Sequence, residues 1–500
     1  MESTEQRSIG LLPTSRVGKF IPLSLLLGCA LALRMWRISD KNLGLDESTS
    51  WFLATGSVPH LLAWTANDVH PPLYYLLLKV WLWCFGDSLT ALRTLSVTGS
   101  VVALYLLYRL IDDAMPRPVC YAVLLWSALS PLALDQAQET RMYPWATAAV
   151  LAACVSYRRW VDTGGVRPSA LLLYGVSVTT ALYLHYYTAL AITAIWLHFI
   201  IAGARQTRPE RTSAAWKAWI VAHVGVALAY APWIPTAIAQ VGRGQAARPP
   251  VTIGEVPDHA RLLIKGLMFG DRSMPDLLSW QGVFAVGLLT AGAVCLLWVI
   301  VRLRDEQDMF FACVAYLPPL PAILLLPLSG ALELWWYLPG SSLLMVAAAA
   351  RGLSRIGVGP SAVVGLLCAG TLALLPSVFA YYSAADRDSD VGPVVAYLLA
   401  HARSGVEGAS DPVYVKPIYL ETKINYYARD ALSLMAVPRD ADLASLGLDR
   451  SSGRDGAWLI VDMHSQSPKL AEVAEDARLH PVEVPGNNPK RVQLFRLPTD

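Results

Sequence analysis

The sequence predicts an all-α polytopic membrane protein of about eleven transmembrane helices, with interfacial helices and a small extracytoplasmic α/β domain at the C-terminus. Three observations predict it. Of the 500 residues, 55% are hydrophobic and only 16% are charged, too apolar a balance for an ordinary soluble chain. The apolar residues gather into stretches that approach or exceed the ~20 residues needed to span a bilayer as a helix. After Ser383 the chain becomes polar, and short strand-like and helix-like segments alternate. The 17 Trp and 21 Tyr suit the membrane–water interface, where an amphipathic ring is favoured.

In chain order, the first apolar stretch is Phe20–Met35, after a tail carrying Arg7, Arg16 and Lys19. No small-x-small cleavage site follows, so it reads as a retained first span with its basic tail in the cytoplasm. An outer loop comes next, within residues 39–90. In it, ESTSWFLAT and SVPHLLAWTA form two amphipathic segments with Asp46 and Ser57 as N-caps. PPLYYLLLKVWLWCFG, Pro71–Gly86, has 16 residues. That is roughly 24 Å of helix, short of the ~30 Å hydrocarbon core. Counting it as a crossing would put the later basic loops outside. It therefore reads as an interfacial helix started by Pro71 and Pro72, where missing N–H groups cost nothing.

Ten further spans are expected: Ala91–Leu110, Val119–Leu134, Trp145–Tyr157, Ala170–Leu184, Thr188–Ala204, Trp216–Pro235, Leu277–Val301, Met309–Leu328, Leu338–Ala350 and Ser361–Tyr381. The basic turns at Arg158 and Arg159, at Arg205 to Lys217, at Arg302 and Arg304, and at Arg351 and Arg355 then all face the cytoplasm, as the positive-inside rule asks. The same parity puts the Asp46–Pro72 loop, Gln138–Tyr143, Leu184–Tyr187 and a long polar loop over 236–275 outside. Residues 1–383 form the membrane module and 384–500 the outer domain. That domain's segments are a helical VGPVVAYLLAHARSG, a strand-like DPVYVKP, a strand-like AWLIVDM, a helix-like SPKLAEVAEDARL and a strand-like VQLFRLP. All seven cysteines lie in or beside apolar segments without a CxxC spacing, which suits buried, inert thiols.

The outer face collects the residues that carry chemistry. Asp46 and Glu47 follow a span directly; a carboxylate beside lipid is costly. It fits either a helix cap or a general base or metal ligand held where water meets lipid. Asp68 and His70 in NDVHPP are either a polar turn or part of the same site. Glu139 and Arg141 in QETRMY can be a solvated pair of small worth, and His185 in LHYY part of an aromatic belt. Arg93 fits a snorkelling cation. Arg243, Arg248, Arg261, Lys265 and Arg272 form a solvated face or clamp a phosphate. Taken together, carboxylates, histidines and cations on one face suit transfer from a phosphate-bearing lipid. A transporter or flippase of a lipid-linked sugar is the alternative, although such proteins more often bury ionisable groups near the bilayer midplane. No GxxxxGK[ST] loop is present, which argues against an ATP-driven pump.

The ordered series LDES, DVHPPLYYLLL, FGDSLTALRTLS, SPLALDQAQETRMY and LHYYTAL over Leu45–Leu190 resembles the C-type (GT-C fold) membrane glycosyltransferases. The nearest branch contains the protein O-mannosyltransferases and lipid A aminoarabinose transferases. The likeness weakens beyond Leu190, where YLPG (Tyr337–Gly340) and the VGPVVAYLLAHARSG tail continue it. The resemblance implies an enzyme of the bacterial cytoplasmic membrane with its site on the extracytoplasmic side. Such an enzyme moves a sugar from a polyprenyl-phosphate carrier to a protein, lipid or glycan acceptor, with inversion and with no nucleic-acid partner. It implies Asp46 and Glu47 as the catalytic acidic pair. Arg93, Arg141, Arg261 and Lys265 are expected to meet the donor phosphate. Asp68, His70, Tyr74, Glu139, Tyr143 and Tyr187 are expected to contact substrate. Asp46, Asp68, Glu139 and His185 are the candidate ligands for a divalent ion, which some relatives require. Two positions depart from the pattern. Relatives carry an arginine where this chain has Trp336, and the aminoarabinose branch a lysine where it has His70.

Overall fold

The computed structural model describes residues 16–204, 213–246, 251–270, 279–303, 305–329, 336, 338, 340–383, 390–402, 411–416, 420–429, 431–437, 457–462, 479–485, 487 and 491–496. The first half runs α1 (Arg16–Met35), α2 (Leu45–Thr55), α3 (Val58–Asn67), α4 (Leu73–Phe85), α5 (Leu89–Ile111), α6 (Arg117–Ala128), α7 (Pro131–Ala137), α8 (Tyr143–Asp162), α9 (Pro168–Leu184) and α10 (Thr188–Ala204). After it come α11 (Ser213–Tyr230), α12 (Ile234–Ala246), α13 (Val256–Phe269), α14 (Trp280–Leu303), α15 (Glu306–Tyr316), α16 (Pro319–Leu324), α17 (Leu326–Ser329), α18 (Ser341–Arg355) and α19 (Pro360–Ser383).

The described residues of the expected spans fall largely on helices, with Met309–Leu328 divided over α15, α16 and α17, but among the described residues the count of eleven is not reached by length and apolarity. Five segments pass: Leu89–Ile111, Ser213–Gln240, Trp280–Trp298, Glu306–Leu324 and Pro360–Ser383. A sixth arises if α6 and α7, bent by 58°, are one span. The bend has a local cause: Pro131 has no N–H to give to the preceding turn, and the Ser130 side chain caps the new helix by accepting from Ala133 N. Helix α4 has 13 residues, about 20 Å, in keeping with a helix that does not cross. The expected polar loop over 236–275 is corrected: its described part holds the end of α12 and all of α13.

Helix α8 is buried along most of its length and packs on α5 and α9. Its approach to α5 requires Gly99, where an added Cβ would lie 2.8 Å from Trp145 Cδ1. Trp145 then donates to Leu95 O at 2.9 Å. Helices α14 and α18 cross closely in the same way: a Cβ on Gly292 would collide with Ala349, the small-residue contact that membrane helices favour.

The C-terminal region holds α20 (Gly392–His401), β1 (Val413–Lys416), α21 (Leu420–Ala428), β2 (Leu434–Ala436), β3 (Trp458–Asp462), β4 (His480–Val482) and β5 (Val492–Arg496). The strand order is β2-β1-β3-β5-β4. The β1 pairings with β2 and β3 are parallel, and those of β5 with β3 and β4 antiparallel. The three expected strands are β1, β3 and β5. SPKLAEVAEDARL lies outside the described residues except for its last, Leu479. A second small core forms here around Val394, Leu398, Val413, Ile424, Ile460 and Leu494.

Candidate active site

The acidic pair on α2 is divided by helix geometry. Adjacent residues on a helix point about 100° apart, at 3.6 residues per turn. Asp46 is exposed, and Glu47 is 2% exposed. The Glu47 carboxylate accepts from Gly44 N at 2.8 Å, closing a capping box at the start of α2. It also accepts from Thr140 N at 2.9 Å and Thr140 Oγ1 at 3.0 Å. Arg93, from α5, meets both oxygens, Nε to Oε1 at 2.8 Å and Nη2 to Oε2 at 2.7 Å. Burial alone would raise the Glu47 pKa; the Arg93 charge and these hydrogen bonds outweigh it and hold the carboxyl below its ordinary value.

Two expectations are corrected here. Arg93 is 3% exposed, and its remaining donors go to the carbonyls of Ile38, Lys41 and Asn42 at 2.6, 2.9 and 2.8 Å. With its guanidinium donors used inside the chain, it has none for a donor phosphate. Glu47 is likewise saturated, and its role is to tie the first turn of α2 to α5 and to the 138–142 loop.

Arg141, between α7 and α8, is the cation beside Asp46. It is 3% exposed, with Nη2 3.8 Å from Asp46 Oδ2 and 3.2 Å from His70 Nε2, and Nη1 3.4 Å from Tyr75 Oη. Its Nε is buried without a hydrogen-bond partner. Burial opposes its charge, but Asp46 leads the groups that hold it protonated. Because a guanidinium only donates, His70 Nε2 must accept, and the ring proton sits on Nδ1, 3.5 Å from Asp68 Oδ2. Burial and then Arg141 push the His70 pKa down. Burial, His70 and Arg141 push that of His185 well down, so both rings are neutral at pH 7.

Aromatic rings line the cluster. His185 lies 6.2 Å from His70, 5.7 Å from Tyr143 and 5.9 Å from Tyr187, and Tyr143 lies 5.5 Å from Trp336. Trp336 therefore packs at the site as an apolar ring. Tyr74 is corrected: it is fully buried and its hydroxyl meets Ser96 Oγ at 3.0 Å, so it faces the core. Glu139 is half-buried; burial, followed by the charges of Asp135, Asp46 and Glu47, raises its pKa well above the ordinary value. Arg261 is exposed on α13 and Lys265 is half-buried one turn further.

The expected metal ligands do not converge. Among the described residues no three His, Cys, Asp or Glu side chains lie close enough to hold a metal ion. The Arg141 guanidinium stands between Asp46 and His70, a fixed cation where an ion would have to sit. The residues present do not fit a metal site.

Sequence reasoning missed Tyr75, Thr140 and Gln138. Gln138 donates to Arg34 O and Trp36 O at 2.8 and 2.7 Å and accepts from Tyr381 Oη at 2.7 Å, joining α1, α19 and the site loop. Tyr75 had a signal, since both tyrosines of HPPLYY start the same helix and only one can face Arg141.

The fold has counterparts among solved membrane proteins. No family model matches the sequence, and no curated protein sequence does. Solved structures do match. ArnT from Cupriavidus metallidurans in the apo state has a TM-score of 0.60 at 10% identity, over 95% of this chain and 97% of that one. The same protein bound to undecaprenyl phosphate has 0.60 at 12%, with the same coverage. The Archaeoglobus fulgidus oligosaccharyltransferase in complex with Zn and sulfate has 0.56 at 11%, over 88% of this chain and 68% of that one. At identities this low the shared property is the fold.

Proposed function

We propose that this chain moves a sugar from a polyprenyl-phosphate carrier to a protein, lipid or glycan acceptor on the outer face of a bacterial cytoplasmic membrane, with inversion at the anomeric carbon. One observation carries the reading. An exposed carboxylate, Asp46, stands 3.8 Å from a buried, charged Arg141. The fold around them is shared with an ArnT structure bound to undecaprenyl phosphate.

The two groups divide the chemistry. Asp46 accepts the proton of the acceptor hydroxyl as its oxygen attacks the anomeric carbon. The bond from that carbon to the phosphate oxygen breaks, and its electron pair leaves with the polyprenyl phosphate. Arg141 stabilises the charge that develops on the departing phosphate. Its buried Nε has no hydrogen-bond partner among the described residues. Neutral His70 accepts from the guanidinium, with Asp68 3.5 Å from its other ring nitrogen. Burial disfavours the charged form of Glu139, which lessens its repulsion of the phosphate. Tyr143, Tyr187 and Trp336 offer ring faces to the sugar, and Arg261 and Lys265 are remote cations for the carrier headgroup. No step is routed through a metal.

Product analysis tests the reading. Purified protein with a polyprenyl-phosphate sugar and envelope acceptors should release free polyprenyl phosphate and glycosylated acceptor. Recovery of the lipid-linked sugar intact would leave only transport.

A further inference from the structure

The C-terminal domain touches the membrane module on the back of the helix that carries Asp46. Helix α21 packs along α2. Thr422 Oγ1 lies 3.0 Å from Ser48 Oγ, and Tyr427 Oη accepts from Leu43 N at 3.4 Å. Tyr426 stands edge-on to Trp51, with ring centroids 5.4 Å apart; both rings are buried, at 7% and 8% exposure. Arg429 closes the contact. Its guanidinium lies 4.6 Å from the Tyr426 ring centre and 5.5 Å from that of Trp51, and it pairs with Asp87. Asp87 in turn accepts from Trp51 Nε1 at 3.1 Å. Arg429 adopts φ 49°, a left-handed conformation uncommon for a non-glycine residue but suited to the turn that ends a helix.

Helix α2 is therefore held from two sides. Glu47 fixes its first turn to Arg93 and Thr140, while Ser48 and Trp51, one and four residues on, are fixed to the C-terminal domain. Among the described residues Asp46 has no comparable side-chain anchor: its one ion-pair contact there is the 3.8 Å approach to Arg141. A helix is stiff over one turn, so whatever sets the pitch of α2 sets that distance. We propose that the C-terminal domain is a clamp on α2, and that Thr422, Tyr426 and Arg429 are positioning residues for the Asp46 carboxylate. The catalytic part of this inference rests on Asp46 being the reacting carboxylate; the mechanical part does not.

The experiment uses the full chain in lipid nanodiscs. Hydrogen exchange is followed on the amides of Leu45–Thr55, with β1 and β3 as the control that the C-terminal domain is folded. Kinetics are followed with polyprenyl-phosphate mannose as donor. Tyr426→Ala and Arg429→Ala should each speed exchange in Leu45–Thr55, about tenfold for an aromatic pair of ordinary strength, with the strands unchanged. kcat should fall by a similar factor while the KM for the donor stays put, because α2 does not bind the carrier. Tyr426→Phe keeps the ring and should behave as wild type in both. Unchanged exchange in Arg429→Ala and in Tyr426→Ala overturns the clamp, as does faster exchange with unaltered kcat in an active enzyme. If the wild type transfers no sugar while the exchange result holds, the enzymatic reading fails and the clamp stands.

Discussion

Replacing Glu47 by Gln should unfold more of the protein than it disables. The side chain is 2% exposed and accepts five hydrogen bonds: two from Arg93, two from Thr140 and one from Gly44. Gln offers one oxygen where Glu offered two, and turns an NH2 toward donors. Arg93 would then be a buried guanidinium without its counter-charge. Removing one partner of a buried ion pair costs about 3–5 kcal/mol, a large share of the 5–15 kcal/mol that holds a typical domain. The assay is thermal unfolding in one fixed detergent, with transfer rate measured per folded molecule. Adding Arg93→Met should recover part of the loss, giving a coupling of about 1–3 kcal/mol in a double-mutant cycle. If Glu47→Gln were as stable as wild type within about 0.5 kcal/mol and yet inactive, Glu47 would be a reacting group and the division of labour on α2 would be wrong.

Arg141→Lys keeps the charge but loses the planar fork that meets Asp46, His70 and Tyr75 together. We expect transfer to fall at least about 100-fold, measured as kcat on purified protein. Glu139→Gln fixes the neutral form that burial favours and should leave the rate at pH 7 within about threefold of wild type, because the side chain is assigned no proton transfer. Acidification should destabilise the protein through His70 and His185. Their folded pKa values lie below the ordinary value, so their contribution is present above about pH 6.5 and is lost as pH falls below it. The melting midpoint should drop from pH 7 to pH 5, and less steeply in His185→Gln.

The grouping of several candidate site residues was legible in the sequence. Asp46, His70, Arg141 and His185 were singled out from motifs spread over Leu45–Leu190, and the structure brings them into one cluster. Their division into exposed and buried was not legible. Glu47 and Arg93 lie 46 residues apart, and nothing in ESTSWF or TALRTL says that one is the other's counter-ion. The long-range partner decides whether an arginine beside a membrane snorkels, binds phosphate or locks a helix. The same limit hid the break between α6 and α7: a Ser-Pro pair in an apolar run fits both a kinked span and two helices. The 236–275 segment was read as loop because its charges mask an amphipathic pattern. In the described structure Gln240 and Arg243 on α12 donate to the carbonyls of Thr65 and Ala66, at the end of α3. Helix α21 was missed because LETKINYYA carries two tyrosines and polar neighbours; its apolar side became interpretable only once Trp51 stood against Tyr426.

The most direct test is the transfer rate of Asp46→Asn, measured with a polyprenyl-phosphate sugar on protein whose melting midpoint matches wild type. Asn occupies the same space on the exposed side of α2 but cannot accept a proton. The account predicts loss of at least about 100-fold in kcat, the scale of a missing general base, with the donor still bound. Transfer at the wild-type rate would contradict it and remove Asp46 from the chemistry.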